Sequence, residues 1–383
     1  ALQDKGDRDA ALDSFRQALR ITPDFATAKG QMLHQLQHIC DFTDVSALDD
    51  AGINLGANTK GVSPFISLSW ADNAEQQLER SRIWVSEEYK LAAPLLRPQR
   101  PHSRPKRLKI GYFSADFHDH ATMYLMAGLL RNHDKDQFEI YAYSYGRSKA
   151  GIWRERASED VDHFFDVSDL SDGDIFDLSR SHGLDIAIDL KGFTQNTRLG
   201  IFQYGLAPIQ INYLGYPGSL GASFIDYIIA DHVVIPDTQR PFYSETVIYL
   251  PNTYQPNDDI REIPETTSTR ADFDLPDDAF VFCCFNNNYK ISPREFDIWM
   301  RLLSKVEDSV LWLLKSNNTA EKNLRKEAKQ RGIDPKRLVF AENLDHSKHL
   351  ARHKHADLFI DTFNVNAHTT ASDALWSGLP VVT

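Results

Sequence analysis

Two spacings of apolar residues share this chain. From residue 108 onward, apolar runs of strand length recur at 109–114, 138–143, 185–190, 209–213, 227–230 and 246–250, with stretches of helical period at 122–130 and 175–182 between them. Runs that are apolar throughout predict strands buried on both faces, and intervening helices predict parallel pairing. A polar stretch, 262–275, interrupts the pattern. It resumes with predicted strands at 280–285, 310–314, 338–340, 358–360 and 381–383 and predicted helices at 293–306, 320–331, 347–355 and 370–376. The fold class is therefore α/β, with two Rossmann-like domains whose ligands belong beyond the carboxyl ends of the strands.

The first hundred residues are helical instead. Gly6, Ala11, Phe15, Ala18 and Pro23 follow the spacing of the second half of a tetratricopeptide repeat, in which small residues let two helices approach and proline ends the unit. Half a repeat cannot bury its own face, so further repeats are expected upstream. Helical period returns at 31–41 and 72–93, and 97–106 (RPQRPHSRPK) is a proline-rich basic linker. The predicted organisation is the end of a repeat at 1–30, a helical connector and linker at 31–106, an N-terminal Rossmann-like domain at 107–270 and a C-terminal one at 271–383. The chain opens without Met and closes on a strand expected to lie inside a sheet, so it is expected to be part of a longer protein, incomplete at its C-terminal end.

Composition narrows the partners. With 42% hydrophobic and 25% charged residues the chain reads as soluble and globular. A formal net charge of −12 repels phosphate backbones, which excludes nucleic acid as the main partner while leaving room for a local basic pocket. Of the three cysteines, Cys283 and Cys284 are neighbours in an apolar run and would point to opposite faces of a strand. No disulfide framework or Cys-x-x-Cys metal spacing results, and a reducing cytoplasm is expected. No apolar run is long enough to span a membrane, and no signal peptide opens the chain.

Candidate chemistry concentrates near the end. His368, Thr369 and Thr370 fall where a predicted strand and loop give way to a helix. Unpaired N–H groups, a partial positive charge and two hydroxyls suit an anion there, although Thr at a helix start ordinarily serves only as a cap. Among fourteen histidines, His346, His349, His353 and His355 cluster around one predicted helix, and His349 with His353 has i, i+4 spacing. No Glu accompanies them in the zinc-protease pattern, and the Asp-x-Asp spacings at 134–136 and 172–174 sit in polar turns, so no metal site is expected.

Five stretches in order carry a specific resemblance: SADFHDH at 114–120, DLKGFT at 189–194, APIQINYLGYPG at 207–218, FNNNYK at 285–290 and NAHTTASDALW at 366–376. The chain resembles the catalytic region of tetratricopeptide-containing O-GlcNAc transferases, the SPINDLY-like glycosyltransferase family, and particularly its bacterial relatives. The resemblance implies a GT-B fold preceded by an α-helical tetratricopeptide remnant. It implies inverting, metal-independent transfer of GlcNAc from UDP-GlcNAc to Ser or Thr of proteins, with no cofactor. It also implies acceptor proteins chosen through the repeats, and it leaves room for a homo-oligomer. The 383 residues alone are expected to be inactive.

Residue by residue, Lys290 matches the family's essential lysine at the donor diphosphate, where a developing negative charge needs a cation. Thr369 and Thr370 match phosphate contacts, His368 a base or ribose contact, and Asp373 a ribose-hydroxyl contact, with a capping-box role for Asp373 as the alternative. His349 and Arg352 match positions near uracil and donor, or else form a surface charged pair. Asn287 stands where the animal enzymes carry Gln. His120 matches a histidine read as general base or as a positioning group, with His118 close by. His182 and Asp185 depart from the animal residue types, which leaves open that the acceptor proton goes to a donor phosphate oxygen. Tyr216, Pro217 and Gly218 match an active-site loop, followed here by Ser219 and Leu220 in place of the family's usual Thr-Ser. Alternatives are another sugar or acceptor, such as GDP-fucose or an Asn-directed glucosyl transfer, lipid or glycan acceptors, or an inactive repeat-anchored module.

Overall fold

Seven parallel strands form the first sheet: β1 (Leu108–Ser114), β2 (Phe138–Ser144), β3 (His163–Asp166), β4 (Ile186–Asp189), β5 (Ile209–Asn212), β6 (Tyr227–Ala230) and β7 (Thr246–Tyr249). Their order is β3-β2-β1-β4-β5-β6-β7. In this computed structural model, residues 8–43, 54–57, 61–70, 72–89, 97–99, 103, 105–147 and 150–383 are described. Gly6 of the repeat pattern, the end of the 72–93 helix and part of the 97–106 linker lie outside them. β1 is an interior strand, apolar on both faces: Ile110 and Tyr112 pack with Met123, Met126 and Leu130 of the helix Ala121–Arg131, and Phe113 on the other face stacks on Tyr143 at 4.3 Å. The strand β3 and the helix before it, Ile152–Asp160, carry no apolar run, since β3 is an edge strand without a fully buried residue. That is why the hydrophobic pattern misses both.

The second sheet joins β8 (Phe280–Cys284), β9 (Ser309–Leu314), β10 (Leu338–Ala341), β11 (Leu358–Ile360) and β12 (Val381–Val382) in the order β10-β9-β8-β11-β12, again all parallel. Val281, Cys283, Leu311, Leu313 and Phe359 form its core with Phe296, Trp299 and Met300 from the helix Pro293–Lys305. Cys40, Cys283 and Cys284 are all free and buried.

The chain divides into two compact units, one made of Gly56–Phe65 with Asn73–Ile260, the other of Ala1–Leu55 with Ile66–Asp72 and Arg261–Thr383. The helical stretch 31–106 is thus shared between the units rather than standing apart. Cys40 and Phe42, just past the helix Ala26–His38, belong to the same hydrophobic core as the second sheet. The division also falls at Arg261 instead of residue 270. Arg261 forms a buried ion pair with Asp373 at 2.6 Å, and its carbonyl accepts from Trp376 Nε1 at 3.1 Å, so the polar stretch is already committed to the second unit.

One close approach fixes the loop after β5. A Cβ on Gly215 would lie 1.9 Å from the carbonyl oxygen of Leu190. Gly215→Ala is expected to destabilise the first unit by about 3 kcal/mol or more, because backbone must move. Denaturant unfolding checks this, and a loss below about 1 kcal/mol would contradict the packing described.

Candidate active site

In both sheets the strand order reverses beside the first strand, between β1 and β4 and between β8 and β11. Loops leaving the carboxyl ends of such a pair diverge and open a crevice. In the second unit those loops carry Asn287, Lys290 and His368, and the helix that follows the β11 loop begins with Thr369 and Thr370.

Asn286 stands two residues past β8, and its amide ties the crevice together. Nδ2 donates to Asp361 Oδ1 at 2.8 Å and to Thr362 Oγ1 at 2.9 Å, while Oδ1 accepts from the Thr370 hydroxyl at 2.5 Å. Thr370 sits in the first turn of the helix Thr369–Trp376, whose N-cap residue, His368, makes no side-chain cap. The hydroxyl of Thr370 is therefore turned to the neighbouring loop rather than to its own helix. Asp361, at the end of β11, accepts the N–H of Thr362 at 2.7 Å and that of Ala367 at 2.8 Å. It also accepts Asn366 Nδ2 at 3.3 Å, which folds the 361–368 loop back on itself.

Lys290 closes the three-residue turn Asn288–Lys290, and its Nζ donates to the carbonyl of Asn366 at 3.1 Å, across the crevice mouth. Burial lowers its pKa, and the charge of Asp361 works against that. His368 is held down to about 4, first by burial and then by the positive charge of Lys290. A neutral imidazole, an ammonium group and a helix start thus share one small region. Asn287 is exposed and opens the turn, its carbonyl accepting from Lys290 N at 3.0 Å.

Asp373 lies deeper. Its carboxylate accepts from Arg261 at 2.6 Å and stands 3.3 Å from His346 Nε2 and 4.0 Å from His349 Nε2. It does not reach back to the helix start, so the capping-box alternative is not what the structure contains. Arg352 is buried, with its guanidinium 4.5 Å over the ring of Phe285, 5.8 Å from that of Trp312 and bonded to the Glu342 carbonyl at 2.6 Å. Arg352 and His349 are therefore not a surface charged pair. Arg352 belongs to the packing behind the crevice, and burial lowers it to about 10. His353 Nδ1 bonds the His349 carbonyl at 2.8 Å, and among the described residues no group of three or more His, Cys, Asp or Glu could hold a metal ion.

In the first unit the β1 and β4 loops are joined by a buried ion pair, Lys191 Nζ to Asp116 Oδ2 at 2.6 Å. Asp189 accepts the N–H groups of Lys191 and Gly192, and burial raises its pKa to about 6. His120 caps the helix Ala121–Arg131 through Nδ1, which accepts from Thr122 N at 3.1 Å and lies 3.5 Å from Asp116. Its side chain is 42% exposed, whereas His118 is buried, and this separates the two candidates. His182 stacks on Phe165 at 4.7 Å and Asp185 accepts from Lys109 N, so both serve the sheet's own packing.

The 215–218 loop turns out differently from the expectation for Tyr216. That side chain is buried, its hydroxyl accepting from Gln77 Nε2 at 2.6 Å in the helix Ala74–Glu88. Gly218 passes the ring where a Cβ would lie 2.9 Å from it, leaving Pro217 as the exposed residue of the three. Sequence reasoning missed Asn286, Asp361 and Arg261. For the first two a signal existed: each is the polar residue next to or one beyond the apolar run of a parallel strand.

The overall fold matches a solved bacterial protein, a lysine-to-methionine mutant of the Thermobaculum terrenum O-GlcNAc transferase, with a TM-score of 0.80 and 23% identity over 99% of this chain and 73% of that one. Two parallel α/β units of this kind are the GT-B fold. The chain belongs to glycosyl transferase family 41, whose profile matches residues 74–266 and 260–383. It is 33% identical over 376 residues to an Arabidopsis thaliana protein named "Probable UDP-N-acetylglucosamine--peptide N-acetylglucosaminyltransferase SEC", covering 92% of this chain and 38% of that protein. A Caenorhabditis elegans "UDP-N-acetylglucosamine--peptide N-acetylglucosaminyltransferase" is 28% identical over 390 residues, covering 73% and 34%. The chain thus spans well under half the length of these two relatives. Among the described residues no helix is long and apolar enough to cross a membrane.

The buried histidines give the second unit a pH dependence. His34, His353 and His368 are held down to about 4, and His38 and His349 to about 2, each first by burial. Unfolded, each would take a proton near pH 6.5, so below that pH the unfolded chain binds more protons than the folded one. Stability should fall as pH falls, by about 1.4 kcal/mol per pH unit for each histidine fully within its window. Melting followed from pH 7 to 5 checks this: the midpoint of the second unit is expected to drop, and a flat or rising midpoint would contradict it.

Proposed function

We propose that this chain is the catalytic region of an enzyme that transfers GlcNAc from UDP-GlcNAc to Ser or Thr hydroxyls of proteins, with inversion at the anomeric carbon. The observation that carries the proposal is the convergence on the β8–β11 crevice of Lys290, held by the Asn366 carbonyl, of His368, and of the start of the helix Thr369–Trp376, whose Thr370 is held by Asn286. The printed names of the family 41 relatives support the choice of donor and acceptor.

In the reaction the acceptor oxygen forms a bond to the anomeric carbon while the bond from that carbon to the β-phosphate oxygen breaks. UDP leaves with the electron pair. Negative charge grows on the diphosphate, and the Lys290 ammonium with the first-turn N–H groups of the helix offsets it. His368, neutral because of burial and Lys290, adds a polar contact without adding charge. Thr369, Thr370 and exposed Asn287 line the phosphate and sugar end, and His349 with Asp373 lies toward the nucleoside, Asp373 sharing its carboxylate between Arg261 and a ribose hydroxyl. Arg352 supports this end from behind. His120 takes the acceptor proton or orients the acceptor while a donor phosphate oxygen takes it. These groups supply the charge stabilisation without a metal. The setting is the cytoplasm, with acceptor proteins selected by helical repeats.

Transfer of labelled GlcNAc to Ser/Thr peptides by the full-length protein tests this. Lys290→Ala is expected to lower kcat by about 10²–10³-fold with the fold retained. UDP should raise the melting midpoint and GDP should not. Unchanged turnover in Lys290→Ala, or protection by GDP alone, would overturn the assignment.

A further inference from the structure

The turn that presents Lys290 is one 3₁₀ turn, Asn288–Lys290, and its N-cap residue, Asn287, makes no side-chain cap. So short a turn has little rigidity of its own. Its backing comes from the far N-terminal part of the chain. The ring of Tyr289 lies 5.2 Å from the ring of His34 and 5.2 Å from that of His38, two side chains one turn apart on the helix Ala26–His38. Just beyond that helix, Cys40 Sγ approaches the Asn288 carbonyl at 3.8 Å.

The helix end is itself anchored on the second sheet's layer. Asn317 Nδ2 donates to the His38 carbonyl at 3.0 Å, Asn323 Nδ2 to the Ile39 carbonyl at 2.8 Å, and Phe42 meets Phe296 edge-on at 5.6 Å. A second arm reaches the other loop of the crevice. The Ser69 hydroxyl donates to Gln37 Oε1 at 3.0 Å, and the Ser69 carbonyl accepts from Asn364 Nδ2 at 3.1 Å in the 361–368 loop. One helix end thus braces both crevice loops, and all of these residues lie within the second unit.

We propose that Tyr289 is a positioning residue for Lys290, and that the helix Ala26–His38 is the rigid backing against which Tyr289 sets the lysine. The inference rests on the reading that Lys290 meets the leaving diphosphate. A cation that stabilises charge appearing only in the transition state must be held in advance. A displacement of about 1 Å is enough to lose about 10²-fold in rate. Adjacent residues in a single 3₁₀ turn cannot move independently, so loss of the Tyr289 ring displaces Lys290. The helix Arg8–Ile21 packs on this helix, Arg8 donating to Gln35 at 2.7 Å. Whatever shifts the helix pair therefore acts on the lysine.

The test uses the full-length protein with Tyr289→Leu, Tyr289→Phe and His38→Ala. Tyr289→Leu keeps apolar volume but loses the ring, and should lower kcat about 30- to 100-fold with the donor KM within about threefold. Tyr289→Phe should stay within about threefold of wild type, and His38→Ala should fall between. A purely structural role would lower the melting midpoint while leaving kcat per folded enzyme unchanged. Wild-type-like kcat in Tyr289→Leu, or equal loss in Tyr289→Phe, would overturn the proposal. If the wild type neither transfers GlcNAc nor gains stability from UDP, the proposed function itself has failed. Amide hydrogen exchange of residues 286–291 without nucleotide then decides the positioning claim: faster exchange in Tyr289→Leu and His38→Ala supports it, and unchanged exchange overturns it.

Discussion

A carboxylate taken out of water needs hydrogen-bond donors on every side, or burial would neutralise or expel it. Asp361 is such a group, 3% exposed at the end of a parallel strand. Two backbone N–H groups and the side-chain amides of Asn286 and Asn366 surround it. This requirement shapes the second unit's crevice. It bends the 361–368 loop, brings Asn286 across from β8, and leaves the other end of that amide to hold Thr370. The carbonyl of Asn366, set by the same loop, receives Lys290. Remove the carboxylate and the lysine, the threonine and the helix start lose their common reference.

The first sheet solves the same topological problem with different chemistry. Its two diverging loops are joined by the ion pair of Asp116 and Lys191, both buried, while Asp189 organises the backbone after β4. A buried ion pair contributes little net stability over an apolar pair, but losing one partner strands the other charge. Such a pair is well suited to fixing geometry. Here it sets the carboxylate beside which His120 caps its helix, so the imidazole is held by Thr122 of the helix and Asp116 of its own loop.

Much of this was legible in residue order. Parallel strands buried on both faces leave unbroken apolar runs, and these marked every strand of the two sheets except β3, an edge strand with no run to see. The motif residues Lys290, His368 and Thr370 fell on the loops and helix start where they were placed by pattern. What escaped depends on direction and partner choice, which spacing does not carry. Tyr216 is an aromatic in a glycine-rich loop, and only the neighbouring Gln77 shows that it faces inward. Arg352 looks like a helix-surface cation until the rings of Phe285 and Trp312 are brought beneath it. Arg261 sits in a polar stretch that reads as linker, yet its partner Asp373 is 112 residues away. A longer separation, 248 residues between Cys40 and Asn288, hides the contact between the end of the helix Ala26–His38 and the Lys290 turn.

The account stands or falls on whether the β8–β11 crevice, organised by Asn286 and Asp361, is where the donor nucleotide binds. Calorimetric titration of UDP into the wild type and Asn286→Leu tests that most directly. The variant removes the bridge to Thr370 and one of the donors to Asp361 while leaving the net charge unchanged. It should remain folded and bind UDP at least about 30-fold more weakly, equivalent to about 2 kcal/mol. A folded Asn286→Leu protein with unchanged UDP affinity would contradict the account.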